Sequence, residues 1–273
     1  MLLVGAATVL FCIIFFFGRT IPLKNKKAPV PAESGKALGI NTILAAARAQ
    51  LTPGQQAYVT QLEAAIVRGD IKQQQIKVYN QLVSFWRDTA HLLLPAAYYA
   101  SEVAKLENSE KSLTFAAQFY LDKVRRQEDP AIKSWMATQA KELFERALVL
   151  NPANDSNKIG LGSCYLFGNI SANPMEGVQL IREVAERDPG NMYAQFTLGL
   201  AAMISGQSDR AIDRLSKVVQ NEPHNEEAHL LLAEAYEQKG DKANAVKWYE
   251  ATKKLIANPT FSAEIDKKIN SIK

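Results

Sequence analysis

Apolar residues recur at helical spacing through most of this chain, and no stretch alternates convincingly as a strand. Ile76, Tyr79, Leu82, Val83 and Trp86 form one stripe suited to a core-facing helix that begins near Ile71. A helix ahead of it opens at Thr52-Pro53-Gly54-Gln55, which reads as an N-cap, a proline at the first position and a capping-box glutamine. That helix runs to Arg68, where Gly69-Asp70 stops it. Pro95 starts a third, carrying Ala96, Tyr99, Val103 and Leu106. Helix after helix from about Asn41 predicts an all-α domain.

The C-terminal half adds an internal period. "LNPAN" at Leu150, "RDPGN" at Arg187 and "NEPHN" at Asn221 are near-copies, and "ANPTF" at Ala257 is a looser fourth. Their prolines, Pro152, Pro189, Pro223 and Pro259, are 37, 34 and 36 residues apart. Between prolines, small and aromatic positions recur together. One unit carries Leu198-Gly199, Gly206, Ala211, Leu215 and Val218; the next carries Leu232-Ala233, Tyr236, Gly240-Asp241, Ala245 and Tyr249. The unit before them carries Leu161-Gly162, Tyr165, a longer turn "GNISANPMEG", then Ile181 and Val184.

This pattern resembles the tetratricopeptide repeat (TPR) family, whose period is about 34 residues. The resemblance covers a little over half the chain. It predicts repeats over roughly 109–152, 155–189, 192–223 and 226–259. The first is degenerate: Leu113, Ala116-Ala117 and Tyr120 stand for its first helix, and Ala140, Phe144 and Ala147 for its second. The long "VRRQEDPAIKSW" between them predicts lengthened helices. Residues 41–108 depart from the pattern, as decayed repeats or an N-terminal helical cap. At the other end Phe261, Ile265, Ile269 and Ile272 make a one-sided stripe, a capping helix over 260–273. The implied fold is a TPR-type α-solenoid of antiparallel helix pairs. Small residues such as Gly199, Ala211, Ala233 and Ala245 let paired helices approach, while tyrosines fill the larger holes.

The N-terminus predicts something else. "MLLVGAATVLFCIIFFFG", residues 1–18, has no charged side chain, and eighteen helical residues span about 27 Å, enough for a bilayer core. A cleaved signal peptide would place cations before the apolar run and small residues after it; here Arg19, Lys24, Lys26 and Lys27 follow. The expectation is a single uncleaved transmembrane helix and an inner-membrane protein. Residues 19–40, basic and then Pro/Ala-rich, would be a linker. Positive-inside reasoning puts the soluble domain in the cytoplasm; a more cationic start upstream would invert it into the periplasm.

Composition narrows the partners. With 47% hydrophobic residues the chain can bury a sizeable core, and 14 Gly and 11 Pro are few for an all-β fold. The net charge of +4 is local: without the four juxtamembrane cations, 28 basic residues face 28 acidic ones. A nucleic-acid footprint is not expected.

The search for catalytic chemistry ends in structural readings. "HNEEAH", His224 to His229, looks like a metal motif, but its histidines are five apart rather than four. On one helix they would point about 140° apart. Pro223 and His224 read instead as a turn, with Asn225 as N-cap and Glu226 and Glu227 opening the next helix. "GLGSC" has neither the third glycine of a dinucleotide loop nor the Lys-Ser/Thr of a P-loop, and Cys164 falls in a small-residue helical seam. His91 is a structural residue near a helix end. No cofactor, metal or enzymatic activity is expected.

What the TPR resemblance implies is a binding surface. In that family the first helix of each unit lines a concave groove through its second, fifth, ninth and twelfth positions. Those fall on Ser156, Ile159, Ser163 and Leu166; on Tyr193, Phe196, Leu200 and Met203; and on Glu227, Leu230, Glu234 and Glu237. The Lys/Asn carboxylate clamp of chaperone-binding members is absent. The expected groove is apolar in the middle and acidic towards its C-terminal end, suited to a hydrophobic or basic peptide. Alternatively, Phe196 and Leu200 simply pack under neighbouring helices. The leading function is a membrane-anchored, non-catalytic scaffold that binds a peptide segment or protein partner. The rival is a periplasm-facing assembly or chaperone factor for exported proteins, similar to anchored TPR subunits of cytochrome c maturation or to translocon-associated helpers.

Overall fold

A computed structural model describes residues 38–68 and 71–272, and among them there are helices and no strand. In chain order these are α1 (Ile40–Arg48), α2 (Pro53–Arg68), α3 (Lys72–Ser84), α4 (Leu93–Glu107), α5 (Glu110–Val124), α6 (Pro130–Leu150) and α7 (Asp155–Phe167). They continue as α8 (Met175–Arg187), α9 (Met192–Ile204), α10 (Ser208–Asn221), α11 (Glu226–Lys239), α12 (Lys242–Ile256) and α13 (Pro259–Ile272). Consecutive helices pack as antiparallel pairs, α5 with α6, α7 with α8, α9 with α10 and α11 with α12.

The proline motif builds each joint between pairs. In Asn151-Pro152-Ala153-Asn154, the Asn154 N–H donates to the Asn151 carbonyl at 3.2 Å. Asn191 does the same to Asp188 at 3.1 Å, and Asn225 to Glu222 at 3.0 Å. Proline presets φ at the second turn position, and the closing asparagine then caps the next helix. The side-chain oxygens of Asn154, Asn191 and Asn225 accept from the backbone N–H of Asn157, Ala194 and Ala228 at 2.9, 3.0 and 2.9 Å. One five-residue motif thus ends a helix, turns the chain and starts the next.

Small residues set the spacing within pairs. A Cβ on Gly162 would lie 2.6 Å from the Gly177 carbonyl oxygen, and one on Gly177 would lie 2.2 Å from that of Gly162. α7 and α8 therefore cross backbone to backbone. Gly206 and Gly240, at φ +70° and +83°, turn α9 into α10 and α11 into α12 in the left-handed region that glycine tolerates.

The N-terminal helices differ in detail from the sequence expectation. Thr52 and Gln55 make the capping box, with the Thr52 N–H donating to Gln55 Oε1 at 2.9 Å. Pro95 is the third residue of α4 rather than its first, still in the turn where a missing N–H costs nothing. α3 continues into a π-helical turn, Phe85–Thr89, which lets two consecutive aromatics, Phe85 and Trp86, both enter the core. α6 is lengthened to 21 residues, whereas α5 has 15. At the far end Ile265, Ile269 and Ile272 of α13 close over Ala245 and Tyr249 of α12.

The membrane reading requires correction. Among the described residues no helix is long and apolar enough to cross a membrane. The expected anchor, residues 1–18, the cations Arg19, Lys24, Lys26 and Lys27, and the Gly69-Asp70 stop all lie outside the described residues. Localisation in the inner membrane, with either sidedness, is not retained.

Candidate functional site

The stacking of the pairs defines an inner face. First helices contact one another, α5 with α7, α7 with α9 and α9 with α11, while the second helices α6, α8, α10 and α12 make no comparable contact among themselves. A stack whose first helices lie closer together than its second helices curves towards the first. Their outward-facing side chains therefore line the concave side.

The expected groove residues divide on that face. Ile159 has no exposed surface; it is enclosed by Ile181, Val184, Ala194 and Leu198 and presents nothing to a ligand. Leu200 is buried as well. Ser163 is buried, its hydroxyl donating to the Ile159 carbonyl at 2.8 Å. Phe196 and Met203 are half-buried, each packed against the α10–α11 core on one side. Tyr193 leaves 36% of its surface exposed, while its hydroxyl faces Gln118 and Ser163. Burial pushes that phenol above its ordinary value. Leu230 is half-buried against the capping cluster.

The acidic end is largely satisfied within the molecule. Glu237 accepts from the Tyr249 hydroxyl at 2.6 Å and pairs with Lys268 of α13 at 2.8 Å. Desolvation would raise its carboxyl, but these two donors win and hold it below the usual range. Glu227 pairs with Arg125. Glu234 is half-buried, and desolvation pushes its carboxyl up against the pull of Lys268.

The Arg125 contact was not legible in the sequence. Arg125 follows α5, and its guanidinium reaches Glu227 in the first turn of α11, 102 residues further along the chain. On the way its central carbon lies 5.9 Å from the Phe167 ring of α7 and 6.0 Å from the Phe196 ring of α9. One side chain at the end of α5 therefore touches residues of three further first helices, α7, α9 and α11. Its pattern signal was a turn insertion, and nothing local pairs it with a carboxylate three repeats away.

The remaining candidates are structural. His229 is buried, its Nδ1 lies 2.9 Å from the Asn225 carbonyl, and its ring meets Trp248 edge-on at 5.7 Å. A carbonyl only accepts, so Nδ1 carries the proton. His224 is exposed in the turn. Among the described residues no group of three or more His, Cys, Asp or Glu is placed to hold a metal. Cys164 is buried, and burial pushes its thiol up to about 12, far from a reactive thiolate. His91 is exposed at φ 55° between the π-helical turn and α4. A second apolar feature, missed in the sequence, is a cavity of about 340 Å³ lined by Val83, Leu93, Val103, Phe115 and Phe119, where Phe115 is 77% exposed.

An α-solenoid of short antiparallel pairs with a side-chain-lined inner face is the class this geometry defines. Residues 196–259 match the sequence model of the tetratricopeptide repeat. A stretch of 69 residues, 25% of the chain, is 44% identical to cellulose synthase operon protein C of Escherichia coli (strain K12). It spans only 6% of that relative's length. Among solved structures, MamA (41-end) from Desulfovibrio magneticus RS-1 aligns with TM-score 0.45 and 20% identity over 69% of this chain and 97% of that one. YrrB, described as a TPR protein with an unusual peptide-binding site, aligns with TM-score 0.46 and 18% identity over 76% of this chain and 97% of that one.

Proposed function

We propose that this chain is a non-catalytic protein-interaction scaffold that holds an extended peptide segment of a partner in its concave groove. The observation that carries the reading is the half-exposed set Tyr193, Phe196, Met203 and Leu230 on the inner face, beside the carboxylates Glu227 and Glu234. Apolar side chains left open on a curved helical surface, rimmed by charge, match a groove that anchors alternate side chains of a ligand. The preferred segment combines apolar and basic residues. The match of residues 196–259 to the tetratricopeptide repeat supports the same reading.

The buried and half-buried positions call for different experiments. Leu200→Ser tests the fold, because Leu200 lies in the core; Phe196→Ser tests the groove. An array of 15-residue peptides of mixed apolar, basic and acidic composition, probed with the purified protein, gives the readout. Phe196→Ser should keep the helical circular dichroism spectrum and lose the peptides that the wild type binds. An unchanged set of bound peptides refutes the groove.

A further inference from the structure

Arg125 is placed as a ligand would be. Its guanidinium sits over two aromatic rings, Phe167 and Phe196, and pairs with the carboxylate of Glu227. Rings and carboxylate come from α7, α9 and α11, so three repeats converge on one cation. Aromatic faces and a carboxylate are the complement of a guanidinium: the ring quadrupoles attract the charge, and the carboxylate accepts its N–H donors. Glu227 and Arg125 remain 51% and 36% exposed, so the contact lies at the groove surface and is open to exchange. Arg125 lies beyond the end of α5, whereas the pair cores are built from Leu113, Ala117, Tyr120 and their counterparts.

We infer that Phe167, Phe196 and Glu227 form a receptor for the arginine side chain of a partner segment, and that Arg125 fills it as a built-in stand-in when no partner is bound. This rests on the groove reading above and adds to it the side chain recognised and the group displaced. The apolar neighbours Tyr193 and Met203 extend the site along α9, so the fitting partner is an arginine flanked by apolar residues. Binding exchanges one intramolecular guanidinium for an intermolecular one. The clasp joining α5 to α11 is released, and the groove is free to widen.

The test uses the full chain and two acetylated nonapeptides of alternating Ala and Leu. One has a central Arg; the other has citrulline, its neutral isostere. An exposed ion pair with two ring contacts of ordinary strength holds a side chain in place by a factor of roughly ten. Removing that competitor raises apparent affinity by the same factor, so Arg125→Ala should bind the Arg peptide about tenfold more tightly than wild type. Glu227→Gln in the Arg125→Ala background should abolish the gain, and the citrulline peptide should not show it. Arg125→Gln repeats the measurement with an uncharged side chain that keeps the Cβ and Cγ methylenes, should alanine loosen the α5–α6 turn. Equal binding of the Arg peptide by wild type, Arg125→Ala and Arg125→Gln overturns the stand-in and leaves the groove reading intact. An equal gain for the citrulline peptide does the same. If neither peptide binds any variant, both the inference and the groove reading fall.

Discussion

Gly162→Ala separates helix propensity from helix crossing, because the two predict opposite signs. In an exposed helix, alanine in place of glycine is worth about 1 kcal/mol in stability. At Gly162 the new Cβ would lie 2.6 Å from the Gly177 carbonyl oxygen and 2.7 Å from Ile181 Cγ1. The isoleucine can rotate, but the carbonyl belongs to the α8 backbone, so the two helices must separate. Overpacking of this kind costs about 1–3 kcal/mol, and a backbone neighbour puts it at the upper end. Net destabilisation of about 1–2 kcal/mol follows after the propensity gain is subtracted. For a domain of this size that lowers Tm by roughly 2–8 °C. Gly54→Ala is the control: it lies in the first turn of α2 with nothing within 4 Å of an added Cβ, and it should be neutral or stabilising. Thermal unfolding followed by circular dichroism at 222 nm measures both. A Gly162→Ala protein at least as stable as wild type would refute the backbone-to-backbone crossing of α7 and α8.

Three further outcomes follow from single contacts. Asn225→Ala removes the cap on the Ala228 N–H and should cost about 1 kcal/mol in urea unfolding, where no loss would mean the repeat asparagine is not a cap. Glu237, held below the ordinary carboxylate range despite desolvation by Lys268 and Tyr249, contributes stability that is present above about pH 4.3 and lost as pH falls. Glu237→Gln should therefore lower Tm more at pH 7 than at pH 3, the deficit shrinking as pH falls; an equal deficit at both values would contradict the assignment. Cys164, with its thiol pushed up by burial to about 12, should resist iodoacetamide at pH 8 in a Cys12→Ser background and react only in denaturant. The unfolded thiol ionises from about pH 8.5, so this group's contribution to stability is complete below that pH and declines above it towards the folded value.

The repeats were legible because their signals are local. Asn151-Pro152-Ala153-Asn154 encodes a turn and a cap within four residues, and Gly206 and Gly240 announce backbone angles other residues avoid. Membership of the core was harder to read from position alone. The fifth place of α7 lines the groove by the rule the TPR resemblance implies, yet Ala194 and Leu198 of the next repeat roof over Ile159. The rule counts positions along one helix and carries no information about its neighbour. The π-helical turn escaped for a related reason: a 3.6-residue period places Trp86 on the core face but not Phe85, and only the widened turn brings in both. Arg125 marks the limit. Its partners lie 42, 71 and 102 residues away, and only the curvature of the stack brings them to one guanidinium.

The inner face as the binding surface can be tested by photo-crosslinking from defined positions. A benzoylphenylalanine at Phe196 reports from the groove, and one at Val149, 81% exposed near the end of the second helix α6, reports from outside it. Each protein is irradiated with a peptide that binds the wild type. The account predicts a covalent adduct from position 196 and none from position 149. Equal labelling from both positions, or labelling from 149 alone, would contradict it.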